Sequence, residues 1–249
     1  MSGLVSTDSY SVFVSGEIRV DPLLKWLDVQ NCGVGRVALI QLALDISEYR
    51  SCSSTLYSYL LDHCDKFIEL VVGTCRNCSC SDHPNSVSGH ARYDNVILNW
   101  KRLPGMREDC SLDENMLRDW VAGCVSEVEK RGLCNRAMEA VGGVLACSPT
   151  GADLIWPNEE VRKILEEYGS VSLVKGMREA YVIRNTRRVK PLYAGGEAER
   201  LRFKSFSDHA QQLVVDAPVT AGLLSQLARY YKDEARVADN EAEALADRG

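Results

Sequence analysis

The sequence has little of what most catalytic sites use. It contains four histidines, at positions 63, 83, 90 and 209. The phosphate-loop, zinc-protease, nucleophile-elbow and dinucleotide-binding motifs are all absent from it. Asp208 and His209 are neighbours in the chain, but adjacency alone does not make a catalytic dyad. These shortages favour a non-enzymatic protein and leave an enzyme of unidentified class as an alternative.

Long hydrophobic runs are also missing. No apolar stretch reaches the roughly 18–20 residues that a membrane span requires. The first residues lack the basic end and the apolar core of a signal peptide. Hydrophobic residues make up 45% of the chain and charged residues 26%, which is usual for a folded protein in solution. We therefore expect a cytoplasmic protein that does not bind membranes.

Strand signals are few, whereas helical spacing recurs along most of the chain. Residues 10–20 alternate apolar and polar side chains, and residues 93–100 have the composition of one short strand. Apolar residues at three- and four-residue steps follow Ser54, Glu114 and Pro218. The sequence thus predicts a mainly α fold, a helical domain with a minor short-stranded β element near the N-terminus and around 92–100.

Three helix predictions are specific enough to compare with a structure. The first helix begins at Ser54 and ends at Gly73. The second begins with a capping box formed by Ser111 and Glu114. The last follows Pro218 and buries one apolar face, which comprises Leu223, Leu224, Leu227, Ala228, Tyr231 and Ala235.

Composition changes along the chain favour two lobes. Pro104-Gly105 lies in a linker and is the best candidate boundary. The N-terminal lobe, residues 1–103, contains a Cys/His-rich loop at 74–91. The C-terminal helical lobe, residues 104–249, contains a basic segment at 175–204 and an acidic tail at 233–249. One continuous domain is the alternative.

The basic segment is the feature that differs most from the rest of the sequence. It holds nine basic and three acidic residues, a net charge of +6 in a chain whose total is −6. The remainder therefore carries −12. Because the chain as a whole is acidic, a polyanion would bind at one patch and not over the entire surface.

Guanidinium groups are forked donors that suit phosphate oxygens, and Arg184, Arg187 and Arg188 share a face if their segment is helical. The aromatic residues Tyr181, Tyr193 and Phe203 alternate with the charges, a pattern typical of surfaces that bind single-stranded nucleic acid. Contact with about four phosphates would give a log–log salt slope of roughly −3. The predicted nucleic-acid-binding residues are Arg184, Arg187, Arg188, Lys190, Arg200, Arg202 and Lys204. The alternative is a solvated basic face paired with the chain's own carboxylates.

The Cys/His-rich loop indicates a second site. Cys75 and Cys78 have the two-residue separation at which two thiolates bind one tetrahedral ion, and Cys80 and His83 could complete the ligands. This predicts one structural zinc, with Cys75, Cys78, Cys80 and His83 as the metal site. Uncoordinated reduced thiols are the main alternative, because several of the ten cysteines fall on apolar helix faces.

The leading hypothesis from the sequence is a non-enzymatic polyanion-binding protein. Its expected partner is nucleic acid, with RNA favoured, in a nucleoprotein or another larger assembly. Self-association or other protein partners are expected as well, because the acidic tail could contact a basic patch on a neighbour. A zinc-stapled protein–protein adaptor is the second hypothesis, and an enzyme is the third.

Overall fold

The computed structural model describes residues 54–76, 100–107, 111–132, 135–186 and 195–246. These residues form eight α-helices. They are α1 (Ser54–Asp62), α2 (Cys64–Arg76), α3 (Glu114–Lys130), α4 (Asn135–Leu145), α5 (Glu159–Tyr168), α6 (Val171–Thr186), α7 (Glu197–Leu213) and α8 (Pro218–Ala246). The prediction of a mainly α fold is confirmed. Within the described ranges β pairing is limited to an isolated antiparallel bridge between Met106 and Leu112. The predicted β elements at 10–20 and 92–100 lie outside the described residues, except for Trp100, which belongs to no strand.

The chain divides into two compact units, Met1–Asn99 and Trp100–Gly249. In the first unit, α1 and α2 are separated by His63, whose carbonyl accepts hydrogen bonds from the amides of Lys66 and Phe67. The His63 ring stacks on Tyr59 at a centroid distance of 4.3 Å. The single helix predicted from Ser54 to Gly73 is therefore two helices, and the second continues to Arg76.

In the second unit, α3 begins two residues later than its capping signal indicates. Asp113 is the N-cap, and its carboxylate accepts a hydrogen bond from the amide of Met116 at 3.2 Å. The predicted capping box, with Ser111 as the cap, is wrong because Asp113 provides a side-chain acceptor closer to the first turn. The buried face of α3 agrees with the predicted spacing and consists of Leu117, Trp120, Val121, Cys124 and Val128.

Helices α4 and α6 pack with their backbones in contact. A Cβ atom on Gly142 would lie 2.0 Å from the carbonyl oxygen of Leu173, and one on Gly176 would lie 1.9 Å from that of Glu139. Each helix therefore places a glycine against the backbone of the other. Only a residue without a side chain fits at either position, so this pair of glycines sets the distance between the two helices.

The longest helix, α8, is the centre of the second unit. It packs along α7 and also contacts α5 and α6. All six residues of its predicted apolar face are buried: Leu223, Leu224, Leu227, Ala228, Tyr231 and Ala235. A row of aromatic rings joins it to the other helices: Trp156 to Tyr181 at 4.3 Å, Tyr181 to Phe206 at 5.7 Å, and Phe206 to Tyr231 at 5.7 Å.

Two carboxylates fix both ends of α8. At its start, Glu166 of α5 accepts hydrogen bonds from the amides of Val219 and Thr220, at 3.0 and 2.9 Å. Near its other end, Asp239 accepts from the amide of Gly196 at 2.8 Å and from Arg200 at 2.6 Å, which ties it to the start of α7. The hairpin formed by α7 and α8 is thus held by specific polar contacts as well as by apolar packing.

Candidate functional site

The structure distributes the basic segment over two helices. Lys175, Arg178 and Arg184 lie on α6, while Arg200, Arg202 and Lys204 lie on α7. Arg187, Arg188 and Lys190 fall between them, outside the described residues. Whether the seven predicted residues form one nucleic-acid surface therefore stays a prediction.

Several of these cations already have partners in the same chain. Lys175 forms an ion pair with Glu139 at 2.7 Å, and the hydrogen bond from that pair raises the pKa of Lys175. Arg178 donates to Gln226 at 3.1 Å. Arg200 is paired with Asp239 at 2.6 Å. A count of charges from the sequence consequently overstates how many of them are available to a ligand.

Arg184 is turned toward the packed helices. It is half-buried, and its Nη2 atom donates to the carbonyl oxygen of Gly143 on α4 at 3.0 Å. Cys147 lies nearby and donates from Sγ to the carbonyl oxygen of Trp100 at 3.1 Å. Burial raises the pKa of the Cys147 thiol to about 11, although the charge of Arg184 acts in the opposite direction. Arg184 thus contributes to the packing of α6 on α4.

A groove lies along the α7–α8 hairpin, with a volume of about 630 Å³. Helix α7 contributes Phe203 and Ser207 to its lining, Val214 follows directly after α7, and α8 contributes Ala221, Arg229 and Lys232. We call it the hairpin groove. The Nζ atom of Lys232 lies 5.9 Å from the centroid of the Phe203 ring, so one end of the groove combines an aromatic face with positive charge.

Two exposed cations, Arg229 and Lys232, line this end of the hairpin groove, and a third exposed cation, Lys204, follows Phe203 on α7. None of them forms an ion pair with a residue that the structure describes. Asp208 and Asp233 lie one helical turn from Lys204 and Arg229, but Asp233 is instead 3.8 Å from Arg236. The charges of Lys204, Arg229 and Lys232 therefore face solvent and can meet an anionic ligand.

Arg202 and the aromatic residues of the segment have separate roles. The Arg202 guanidinium lies 5.2 Å from the centroid of the buried Tyr231 ring, a cation–π contact at the edge of the core. Tyr181 belongs to the row of rings between the helices, whereas Phe203 lines the hairpin groove. Tyr193 lies outside the described residues. Sequence reasoning did not identify Arg229 and Lys232, because both belong to a helix whose total charge is negative.

A second groove, of about 460 Å³, lies between α6 and α8 and is lined by Arg178, Ile183, Arg229 and Tyr230 among others. Burial, together with the nearby charge of Glu234, raises the pKa of Tyr230 to about 12. The Tyr230 hydroxyl donates a hydrogen bond to Glu234, so this donor is already used within α8. Arg229 lines both grooves, so the hairpin groove and the groove between α6 and α8 meet at this side chain.

Most of the predicted zinc site lies outside the described residues. Cys75 lies within the last turn of α2, and Cys78, Cys80 and His83 lie outside the described residues. Among residues whose side chains the structure describes, no group of three or more potential ligands comes together. Cys124 is fully buried and Cys64 half-buried, as expected for thiols on apolar helix faces. The zinc site stays a prediction.

Asp208 and His209 lie on α7, the first exposed and the second half-buried, and neither lines the hairpin groove or the groove between α6 and α8. Among the described helices, none combines the length and the apolar character needed to cross a bilayer.

Comparison of the chain with models of protein families, with curated proteins and with solved structures found no match.

Proposed function

We propose that this protein binds polyanions, RNA in particular, without catalysing a reaction, as a subunit of a larger assembly. The observation that carries this proposal is the basic end of the hairpin groove. Its cations Arg229 and Lys232, and Lys204 next to Phe203 on α7, are exposed and form no ion pair within the described chain. Cations that internal carboxylates leave unpaired can replace the counterions of a phosphate backbone, which is the main source of affinity in such complexes.

The shape and composition of the hairpin groove favour a single strand over a duplex. Phe203 lines the groove beside Lys232, so a base can stack against the ring while phosphates meet the surrounding cations. Ser207 and Gln211 add hydrogen-bonding groups along the same wall. Arg187, Arg188 and Lys190 lie outside the described residues and stay predicted contacts from the sequence.

The salt dependence of binding follows from the number of cations. Three phosphate contacts on a single strand give a log–log slope of roughly −2, so affinity should fall about eighteenfold between about 50 mM and about 200 mM salt. We expect Arg229→Glu combined with Lys232→Glu to weaken binding of a short single-stranded RNA at least about tenfold at the lower salt concentration. The log–log salt slope should then become shallower, roughly −0.7, because about one phosphate contact remains.

Fluorescence anisotropy of a labelled oligonucleotide measures both quantities. Lys101→Glu combined with Arg102→Glu is the matched control, since both residues are exposed, precede α3 and change the net charge by the same amount. If wild-type protein does not bind RNA at low salt, or if the groove variant and the control weaken binding equally, the proposal is wrong. A parallel titration with DNA of the same sequence tests the preference for RNA.

A further inference from the structure

The two cations of α8 that line the hairpin groove lie apart from the carboxylates near the end of the helix. Arg229 and Lys232 lie in its middle, at the basic end of the hairpin groove. Glu241 and Glu243 lie near its end, and both are exposed and form no ion pair with a described residue. Asp239 differs from them, because its two carboxylate oxygens accept hydrogen bonds from the amide of Gly196 and from Arg200 of α7.

The contact made by Asp239 determines which face of α8 remains open. Residues two positions away along a helix lie about 200° around its axis. Val237 and Glu241 are both two positions from Asp239, so they occupy the face opposite the contact with α7. Val237 is 48% exposed and Glu241 is exposed, so this face presents an apolar side chain and a carboxylate one turn apart.

The acidic end cannot reach the hairpin groove of its own molecule. Lys232 and Glu241 belong to one continuous helix. At 1.5 Å per residue they are about 14 Å apart along its axis. A helix cannot fold back on itself over that distance. Any ion pair between these two groups must therefore join two molecules.

The hairpin groove and the end of α8 also correspond in length and chemistry. The lining of the groove extends from Phe203 on α7 to Val214 just past its end, about 16 Å at the rise of a helix. Residues 237–246 of α8 span about 14 Å. One end of the groove is basic, and the other is apolar, where Val214, Pro218 and Ala221 line it. An amphipathic acidic helix is the type of ligand that such a surface binds.

We propose that the hairpin groove binds residues 237–246 of α8 from a second copy of this chain. Glu241 then pairs with Lys232 or Arg229 of the neighbour, while Val237 covers apolar groove surface. The groove and the acidic end are different surfaces of one chain, so each copy can contact two neighbours. Such heterologous contacts give closed oligomers or open chains, depending on the rotation between copies.

A charge exchange tests this contact without nucleic acid. Lys232→Glu and Glu241→Lys should each weaken self-association at least about tenfold, which corresponds to about 1.4 kcal/mol. The double variant carries both changes and restores an ion pair of reversed polarity, so its association should return to within about threefold of wild type. Glu129→Lys is the control, since this exposed carboxylate lies on α3 and should have little effect.

Sedimentation velocity over a range of protein concentrations, at about 50 mM and about 200 mM salt, measures the association constants. Wild-type protein should associate more strongly at the lower salt concentration. A wild-type chain that remains monomeric there would overturn the proposal, as would a double variant no better than the two single variants. Because no RNA is present, a negative result leaves the proposed RNA binding unaffected, and the converse also holds.

Discussion

The contact between α4 and α6 gives the sharpest prediction about stability. Gly142→Ala adds one methyl group at a place where its Cβ atom would lie 2.0 Å from the carbonyl oxygen of Leu173 and 2.8 Å from the amide nitrogen of Met177. Both neighbours are backbone atoms of α6, so neither can rotate away. To reach an ordinary contact of 3.4 Å, the two helices must separate locally by more than 1 Å.

The size of the effect follows from two opposing contributions. Replacing glycine by alanine in a helix stabilises it by up to about 1 kcal/mol through backbone entropy. Overpacking a close-packed interface costs about 1–3 kcal/mol, and a clash with backbone lies at the upper end of that range. We therefore expect Gly142→Ala to lower the free energy of unfolding by about 2 kcal/mol, with a similar value for Gly176→Ala, whose Cβ would lie 1.9 Å from the Glu139 carbonyl oxygen.

Gly222→Ala is the matched control. Gly222 is an exposed residue inside α8, and an added Cβ would meet nothing within 4 Å among the described residues, so only the gain of up to about 1 kcal/mol remains. Urea unfolding followed by circular dichroism should separate Gly142→Ala from this control by about 3 kcal/mol. The double variant Gly142→Ala with Gly176→Ala should lose less than the sum of the two, because one separation of the helices relieves both clashes. Equal stability of Gly142→Ala and Gly222→Ala would refute the reasoning.

Two further predictions concern buried polar groups. Burial raises the pKa of Cys147 from 9.0 to about 11, so its neutral form is fully compatible with folding below pH 9. Above pH 9 the thiol of the unfolded chain ionises first, and about 2 kcal/mol of stability should be lost as the pH rises from 9 to 11. In unfolding experiments at several pH values, the free energy of unfolding of Cys147→Ala should decrease less steeply with pH than that of wild type. If the two decrease in parallel, burial of the Cys147 thiol is not the cause of the loss. Glu166→Ala should destabilise the chain by about 1–3 kcal/mol, because Val219 and Thr220 at the start of α8 lose their acceptor. The control Glu167→Ala removes an exposed pair with Arg118 and should cost less than about 1 kcal/mol; equal losses in the two variants would show that Glu166 does not cap α8.

Apolar spacing predicted the helices and their buried faces well, because this information is local. Leu223, Leu227 and Tyr231 recur at intervals that place them on one side of α8, and all three are buried as the pattern predicts. Helix ends were less predictable. Asp113 caps α3 although Ser111 has the spacing of a capping box, because two acceptors compete within three residues and the geometry of the incoming chain selects one.

Long-range contacts explain what the sequence alone could not predict. Gly142 looks like a weak point of α4 when only its helix propensity is considered, yet it allows the contact with α6. Arg184 counts as one of nine basic residues in the basic segment, but its guanidinium donates a hydrogen bond to the carbonyl oxygen of Gly143 on α4. Arg229 and Lys232 were overlooked for the opposite reason: α8 as a whole is acidic, and only the packing of α8 on α7 shows that these two cations line a groove.

The two proposed ligands of the hairpin groove would exclude each other. RNA phosphates and the Glu241 carboxylate of a neighbour both require Lys232 and Arg229, and one cation cannot be fully neutralised by two anions at once. Each phosphate contact releases condensed counterions from RNA, whereas an exposed carboxylate pair contributes at most about 1 kcal/mol. At low salt RNA therefore has the advantage in the groove, and the acidic end of α8 would occupy it chiefly when RNA is scarce. In this scheme the acidic end of α8 screens the basic surface of a neighbour until a polyanion displaces it.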